Sequence, residues 1–159
     1  MTKKSAPRRP LFVSRSLLNP DDVLEWAQSE GFRRPIRASA LHVTVALSRE
    51  PIPWREIPAC AGHLPVPPGR RRLVRHFSGV AVLIFGSRKL RQRHAQFRRH
   101  GAKWEHPTYQ PHVAFAIDDD DRDLSLVRPY AGPLLFGPEA FKEPFECYCR
   151  PLSAADFHS

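Results

Sequence analysis

Two histidines stand in near-identical surroundings seventy positions apart, in Leu41-His42-Val43-Thr44-Val45 and Pro111-His112-Val113-Ala114-Phe115. Imidazole exchanges protons near neutral pH, so one ring can take a proton while a second gives one within a single displacement. Transfer at a phosphodiester needs that division: a base for the attacking hydroxyl or water and an acid for the departing oxygen. The hydroxyl of Thr44, two residues past the first histidine, is placed to donate a hydrogen bond to a non-bridging oxygen. The equivalent position after the second histidine is Ala114, which has no hydroxyl. A lone strand histidine is ordinarily a packing or surface residue; the repetition of the surroundings is what points to chemistry. Zinc is the rival use of paired histidines, but neither has Cys or carboxylate partners at ligand spacing, and the Cys147/Cys149 pair is isolated. No metal and no cofactor are expected.

Alternation of apolar residues supplies the elements that would hold the pair. Leu41 to Leu47 has period two, which puts His42, Thr44 and Ala46 on one face and Leu41, Val43, Val45 and Leu47 on the other. Tyr109 to Ile117 repeats the pattern, with His112, Ala114 and Ala116 together. Upstream, Leu11 to Arg15 reads as a strand, followed by a helix with Asn19 as N-cap, Pro20 in its first turn and Gly31 as its stop. Its apolar face is Val23, Leu24, Trp26 and Ala27. Between the histidines, Arg72 to Phe77 and Gly79 to Phe85 read as adjacent strands. Ser87 then caps a basic helix that runs to about His100, with Gly101 as its stop and Leu90, Ala95 and Phe97 as its buried stripe. The proline-rich stretch Glu50 to Arg72 reads as a mobile functional loop. Asp118 to Asp121 reads as a polar turn, and Ser125 to Tyr130 and Pro133 to Phe141 as strand or turn segments.

The order strand, helix, histidine strand therefore occurs twice, which suggests an internal duplication. The expected fold class is α+β: a bilobal, pseudo-duplicated domain of two antiparallel sheets lining a cleft, with helices outside. One such domain spans residues 11–159, after a flexible basic arm at residues 1–10.

The chain has 159 residues and a formal net charge of +9. Positive potential favours phosphate-bearing ligands, although an ordinary basic surface accounts for the same count. Arg70, Arg71 and Arg72 could close over substrate phosphates or be solvated charge. Phe12, Trp54, Trp104 and Tyr109 could stack on bases or pack in the core. The remaining histidines, His94 among them, read as bystanders, and the cations of the second helix as a solvated face. No apolar run reaches the ~18 residues of a membrane span. Three cysteines cannot all pair and no leader precedes the first strand, so the reducing cytoplasm is the expected compartment.

At the histidine motifs the chain resembles the two-histidine (2H) phosphoesterases, whose signature is a pair of H-x-T/S strands in a duplicated fold; His42-Val43-Thr44 matches it in full. More narrowly, the segments LFVSR from Leu11, LHVTVALSR from Leu41, Pro51 to Trp54, YQPH from Tyr109 and GPLLFGPE from Gly132 look like phage anti-CBASS nucleases. Members of that group degrade cyclic oligonucleotide messengers without metal. The resemblance thus implies a cyclic di- or trinucleotide substrate, a base contact for Glu139 and a place for Phe12 in the nucleotide site. Two departures stand out: Phe12 occupies a position where tyrosine is expected, and Ala114 one where Thr or Ser is expected. Losing a hydroxyl that bonds a charged phosphate costs ~1.5 to 3 kcal/mol, roughly one to two powers of ten in rate. Two alternatives stay open: an enzyme acting on RNA ends with 2′,3′-cyclic phosphate or 2′–5′ linkages, and a binder of cyclic nucleotides or RNA without chemistry.

Overall fold

The computed structural model describes residues 7–118 and 122–144. Most of the basic arm, part of the aspartate run and the segment containing Cys147, Cys149 and His158 lie outside those residues. The elements run β1 (Arg8–Leu17), α1 (Pro20–Ser29), β2 (His42–Pro53), β3 (Leu64–Val66), β4 (Leu73–Phe77), β5 (Val80–Ile84), α2 (Arg88–Arg99), β6 (His112–Ile117) and β7 (Leu134–Lys142).

The expected α+β class and the strand-helix-strand repeat are present, but the two sheets are one. Seven strands lie in the order β3-β7-β1-β2-β6-β5-β4. The halves meet where β2 and β6 pair through Val43 and Val113. This short seam keeps the two halves in one hydrogen-bonded sheet.

Both helices cover the same face. Val23 and Ala27 of α1 and Leu90 and Phe97 of α2 join Leu41, Val43, Val45, Val113 and Phe115 in a single buried cluster. Removing such side chains from water contributes roughly 1.5–3 kcal/mol each. Because strand side chains alternate, burying Leu41, Val43 and Val45 around the first motif and Pro111, Val113 and Phe115 around the second forces His42, Thr44, His112 and Ala114 to the opposite face, where each stays partly exposed.

Several boundaries differ from expectation for local reasons. β1 begins at Arg8, earlier than Leu11, because Arg8 and Arg9 pair with Pro53 and Ile52 of an equally extended β2. The stretch from Glu50 to Arg72 is correspondingly less of a loop: it includes the end of β2, a short turn at Trp54–Glu56 and β3, which pairs with β7. Asn19 does not cap α1 with its side chain; it bonds Pro133 and Leu135 and so ties the helix start to β7. Ser87 does cap α2, accepting from the Leu90 amide at 3.2 Å. The buried stripe of α2 is Leu90, His94 and Phe97, with His94 in the role expected of Ala95. Downstream, Leu124–Leu126 is a single helical turn with no strand around it. β4 and β5 are joined at Ser78-Gly79, both at positive φ, as a two-residue hairpin of right-twisted strands requires.

Candidate active site

Extending the Val43–Val113 pair by one residue each way sets His42 across from Ala114 and Thr44 across from His112. The two histidines are then diagonal neighbours on one face, a relation that spaces positions by roughly 7–8 Å. A phosphate group fills a gap of that size. The rings are oriented alike. His42 Nδ1 lies 2.8 Å from the carbonyl of Ala40, and His112 Nδ1 lies 2.9 Å from that of Gln110. A carbonyl only accepts, so in each ring Nδ1–H donates and Nε2 is left for the cleft.

The two sites differ in their surroundings. Burial holds the His42 pKa below the usual imidazole range, and the charges of His112 and Lys142 push it the same way; the Ala40 hydrogen bond opposes them. At neutral pH His42 is therefore an uncharged ring with a free lone pair. Its neighbours on β1 include Phe12, whose ring meets it edge-on at 6.1 Å, and Ser14, which pairs directly with Thr44. On the other side, the exposed ring of Phe77 lies 6.2 Å from His112. Thr44 is supported from behind: Tyr109 donates its hydroxyl to the Thr44 carbonyl at 2.7 Å.

The other expected binding residues fall elsewhere. Arg72 is buried, and its guanidinium is spent on the carbonyls of Pro67, Tyr130 and Gly132, so it clasps two loops and cannot take a phosphate. Arg70 and Arg71 are exposed and make no hydrogen bond or ion pair among the described residues. Tyr109 is stacked on His94 at 4.1 Å, and Trp104 packs edge-on against both, donating to the Thr108 carbonyl, so these rings are packing residues. Trp54 is likewise held by the carbonyls of Arg9 and Pro10 and by the ring of Phe141.

The base contact implied for Glu139 is overturned most clearly. Glu139 pairs with Arg15 across β7 and β1, and Arg15 with Val43, which places Glu139 on the helix face. There its fully buried carboxylate accepts from Arg93 and from the Cys60 amide and lies 4.0 Å from Arg15. It has no surface to offer a base.

Lys142, Ser14 and Phe77 are site residues that sequence reasoning missed. The first two could have been found only through pairing partners: Lys142 stands opposite Phe12 and Ser14 opposite Thr44. The signal for Phe77 was its alternation with Arg75 and Leu73 on an exposed face.

The profile of the family described as "Anti-CBASS protein Acb1" matches residues 9–146. A relative described in the same words, from Caulobacter sp. (strain RHG1), is 44% identical over 154 residues, covering 93% of this chain and 25% of the relative. Another, from Sphingomonas paeninsulae, is 40% identical over 146 residues, 87% of this chain and 23% of its own. The chain thus spans about a quarter of the length of these curated relatives. Among solved structures, Escherichia coli LigT complexed with 3′-AMP superposes with a TM-score of 0.57 at 16% identity, over 86% of this chain and 87% of LigT. A crystal structure titled phosphoesterase gives a TM-score of 0.54 at 18% identity, over 85% of this chain and 87% of its own. At such identities the likeness is one of fold.

Proposed function

The chain belongs to the Acb1 anti-CBASS family, and on that premise we propose that it is a metal-independent phosphodiesterase that opens 3′–5′ bonds of cyclic di- or trinucleotide messengers and so counters CBASS defence in a bacterial cytoplasm. The observation that carries the reading is the diagonal placement of His42 and His112 on one face, each with Nε2 unpartnered among the described residues. His42, uncharged at neutral pH, is the base: its Nε2 takes the proton of the substrate 2′-hydroxyl, whose oxygen forms a new bond to phosphorus. His112 is the acid: it gives its Nε2 proton to the 5′-oxygen as that P–O bond breaks. The product of this step is a 2′,3′-cyclic phosphate beside a free 5′-hydroxyl, and exchange with water returns both rings to their starting states. Thr44 donates to a non-bridging oxygen on one side; Ala114 leaves the other without a hydroxyl. Phe12, whose ring meets that of His42 edge-on, flanks the nucleoside there.

The experiment is incubation with 3′,3′-cyclic dinucleotides and cyclic trinucleotides in EDTA, followed by chromatography. Linear products are expected, and either His42→Ala or His112→Ala is expected to slow their formation by about 10²–10⁴-fold. Turnover that needs added metal, or that survives both substitutions, refutes the assignment. An oligonucleotide ending in 2′,3′-cyclic phosphate, offered in parallel, tests the RNA-end alternative: faster reaction there moves the substrate assignment to RNA. Tight binding without turnover, unaffected by His42→Ala, identifies a binder.

A further inference from the structure

Ala114 leaves the second half of the site without the hydroxyl that Thr44 provides in the first, and the strand register shows which residue is placed to compensate. Across β4, β5 and β6, Arg75 lies opposite Val82 and Val82 opposite Ala114. Residues directly opposite in a pleated sheet project to the same side. The preceding row confirms the facing. Val74, Leu83 and Val113 belong to the helix-side core, so their neighbours Arg75, Val82 and Ala114 rise from the face that carries both histidines. Two residues beyond Arg75, the ring of Phe77 already reaches to 6.2 Å from His112, so side chains of β4 overhang the second histidine.

Availability separates Arg75 from its counterparts. Arg15, Arg72 and Arg93 spend their guanidinium groups on carbonyls or on Glu139. Arg75 is exposed and has no hydrogen-bond or ion-pair partner among the described residues. Its Cα stands two strand spacings, roughly 10 Å, from that of Ala114. An extended arginine covers most of that gap, and a phosphate above Ala114 closes the rest.

We infer that Arg75 is the phosphate-binding residue of the His112 half-site, its guanidinium making to a non-bridging oxygen the contact that a hydroxyl at position 114 would otherwise make. The bond is charge-assisted and the planar fork can engage two oxygens, so it replaces a neutral hydroxyl without loss. Substitutions at 75 and 114 must then be coupled, because each supplies the same oxygen.

The inference rests on the phosphodiesterase reading, and a double-mutant cycle separates the two. With a 3′,3′-cyclic dinucleotide, Arg75→Ala is expected to lower kcat/KM by about 10–100-fold in the natural chain. In an Ala114→Thr background the same change is expected to cost less than about 3-fold. Arg75→Lys, which keeps the charge and loses the fork, should fall between. Equal losses in both backgrounds overturn the assignment. If no cyclic dinucleotide is turned over, the activity reading fails on its own, and Arg75 is judged by inorganic phosphate titrated against the His112 imidazole signals in NMR. Arg75→Ala should then weaken phosphate binding, and Ala114→Thr should restore it. Unchanged phosphate affinity in Arg75→Ala, with an unchanged melting temperature, overturns the assignment without reference to turnover.

Discussion

At the residue scale, both imidazoles are aimed by the same short device, an Nδ1–H donated to the carbonyl two residues earlier. That bond sets the tautomer and leaves Nε2 of each ring without a hydrogen-bond partner among the described residues. Charge on the other face of the sheet does different work. Glu139 neutralises Arg15 and Arg93 in a buried cluster, where each charge is tolerable only because the others are present. Glu139→Ala should therefore cost about 3 kcal/mol in urea unfolding, since it leaves the buried Arg15 and the part-buried Arg93 without their carboxylate. Cleavage per folded molecule should be unchanged. A fall in kcat/KM with stability intact would instead put this carboxylate back against a substrate base. No inspection of the segment GPLLFGPE distinguishes these roles, because the side of β7 on which Glu139 lies depends on its pairing with β1.

At the scale of elements, α2, the loop before β6 and the histidine strand β2 are joined at one place. His94 of α2 donates to the Val45 carbonyl at 2.8 Å, its ring stacks on Tyr109, and Tyr109 donates to the carbonyl of Thr44. Burial pushes the Tyr109 hydroxyl pKa far up, so it remains a donor at every working pH. Tyr109→Phe should lower stability by about 1 kcal/mol, a fall of roughly 2–4 °C in calorimetry. Because it also frees the main chain behind Thr44, kcat should drop several-fold with KM little changed. An unaltered melting temperature would mean that the bond contributes nothing. His94 looked like one more basic-helix residue because its partner carbonyl is forty-nine positions away. Arg72 misled for the same reason: its three carbonyl partners come from two loops that only the fold brings together.

At the scale of the whole molecule, helices cover one face of the sheet and both histidine motifs stand on the other, and two imidazoles, His94 on the covered face and His42 on the open one, are desolvated enough to disfavour their charged forms. The pKa values of His42 and His94 are both lowered, desolvation being the largest cause in each. The unfolded chain, with ordinary imidazoles near about 6.5, binds protons that the folded chain refuses. Stability should therefore be full above about pH 6.5 and decline as pH falls through that value toward the lower folded-state pKa values. Urea midpoints compared at about pH 8 and pH 5.5 check this, and a midpoint that holds or rises on acidification contradicts it. Local pattern alone was enough for the strands of both histidines as far as Val45, the facing of Thr44 and Ala114, the cap at Ser87 and the duplicated order, because alternation and capping are properties of adjacent residues; beyond Val45 a register shift against β1 breaks the alternation, so Ala46 and not Leu47 joins the core. Pairing was needed for the rest: the joining of two sheets into one through Val43 and Val113, the face of Glu139, the loss of Arg72 to loop carbonyls, and the rows that bring Arg75 and Lys142 toward the histidines. Register between strands distant in the chain is set by which faces can be buried together, and no single segment contains that information.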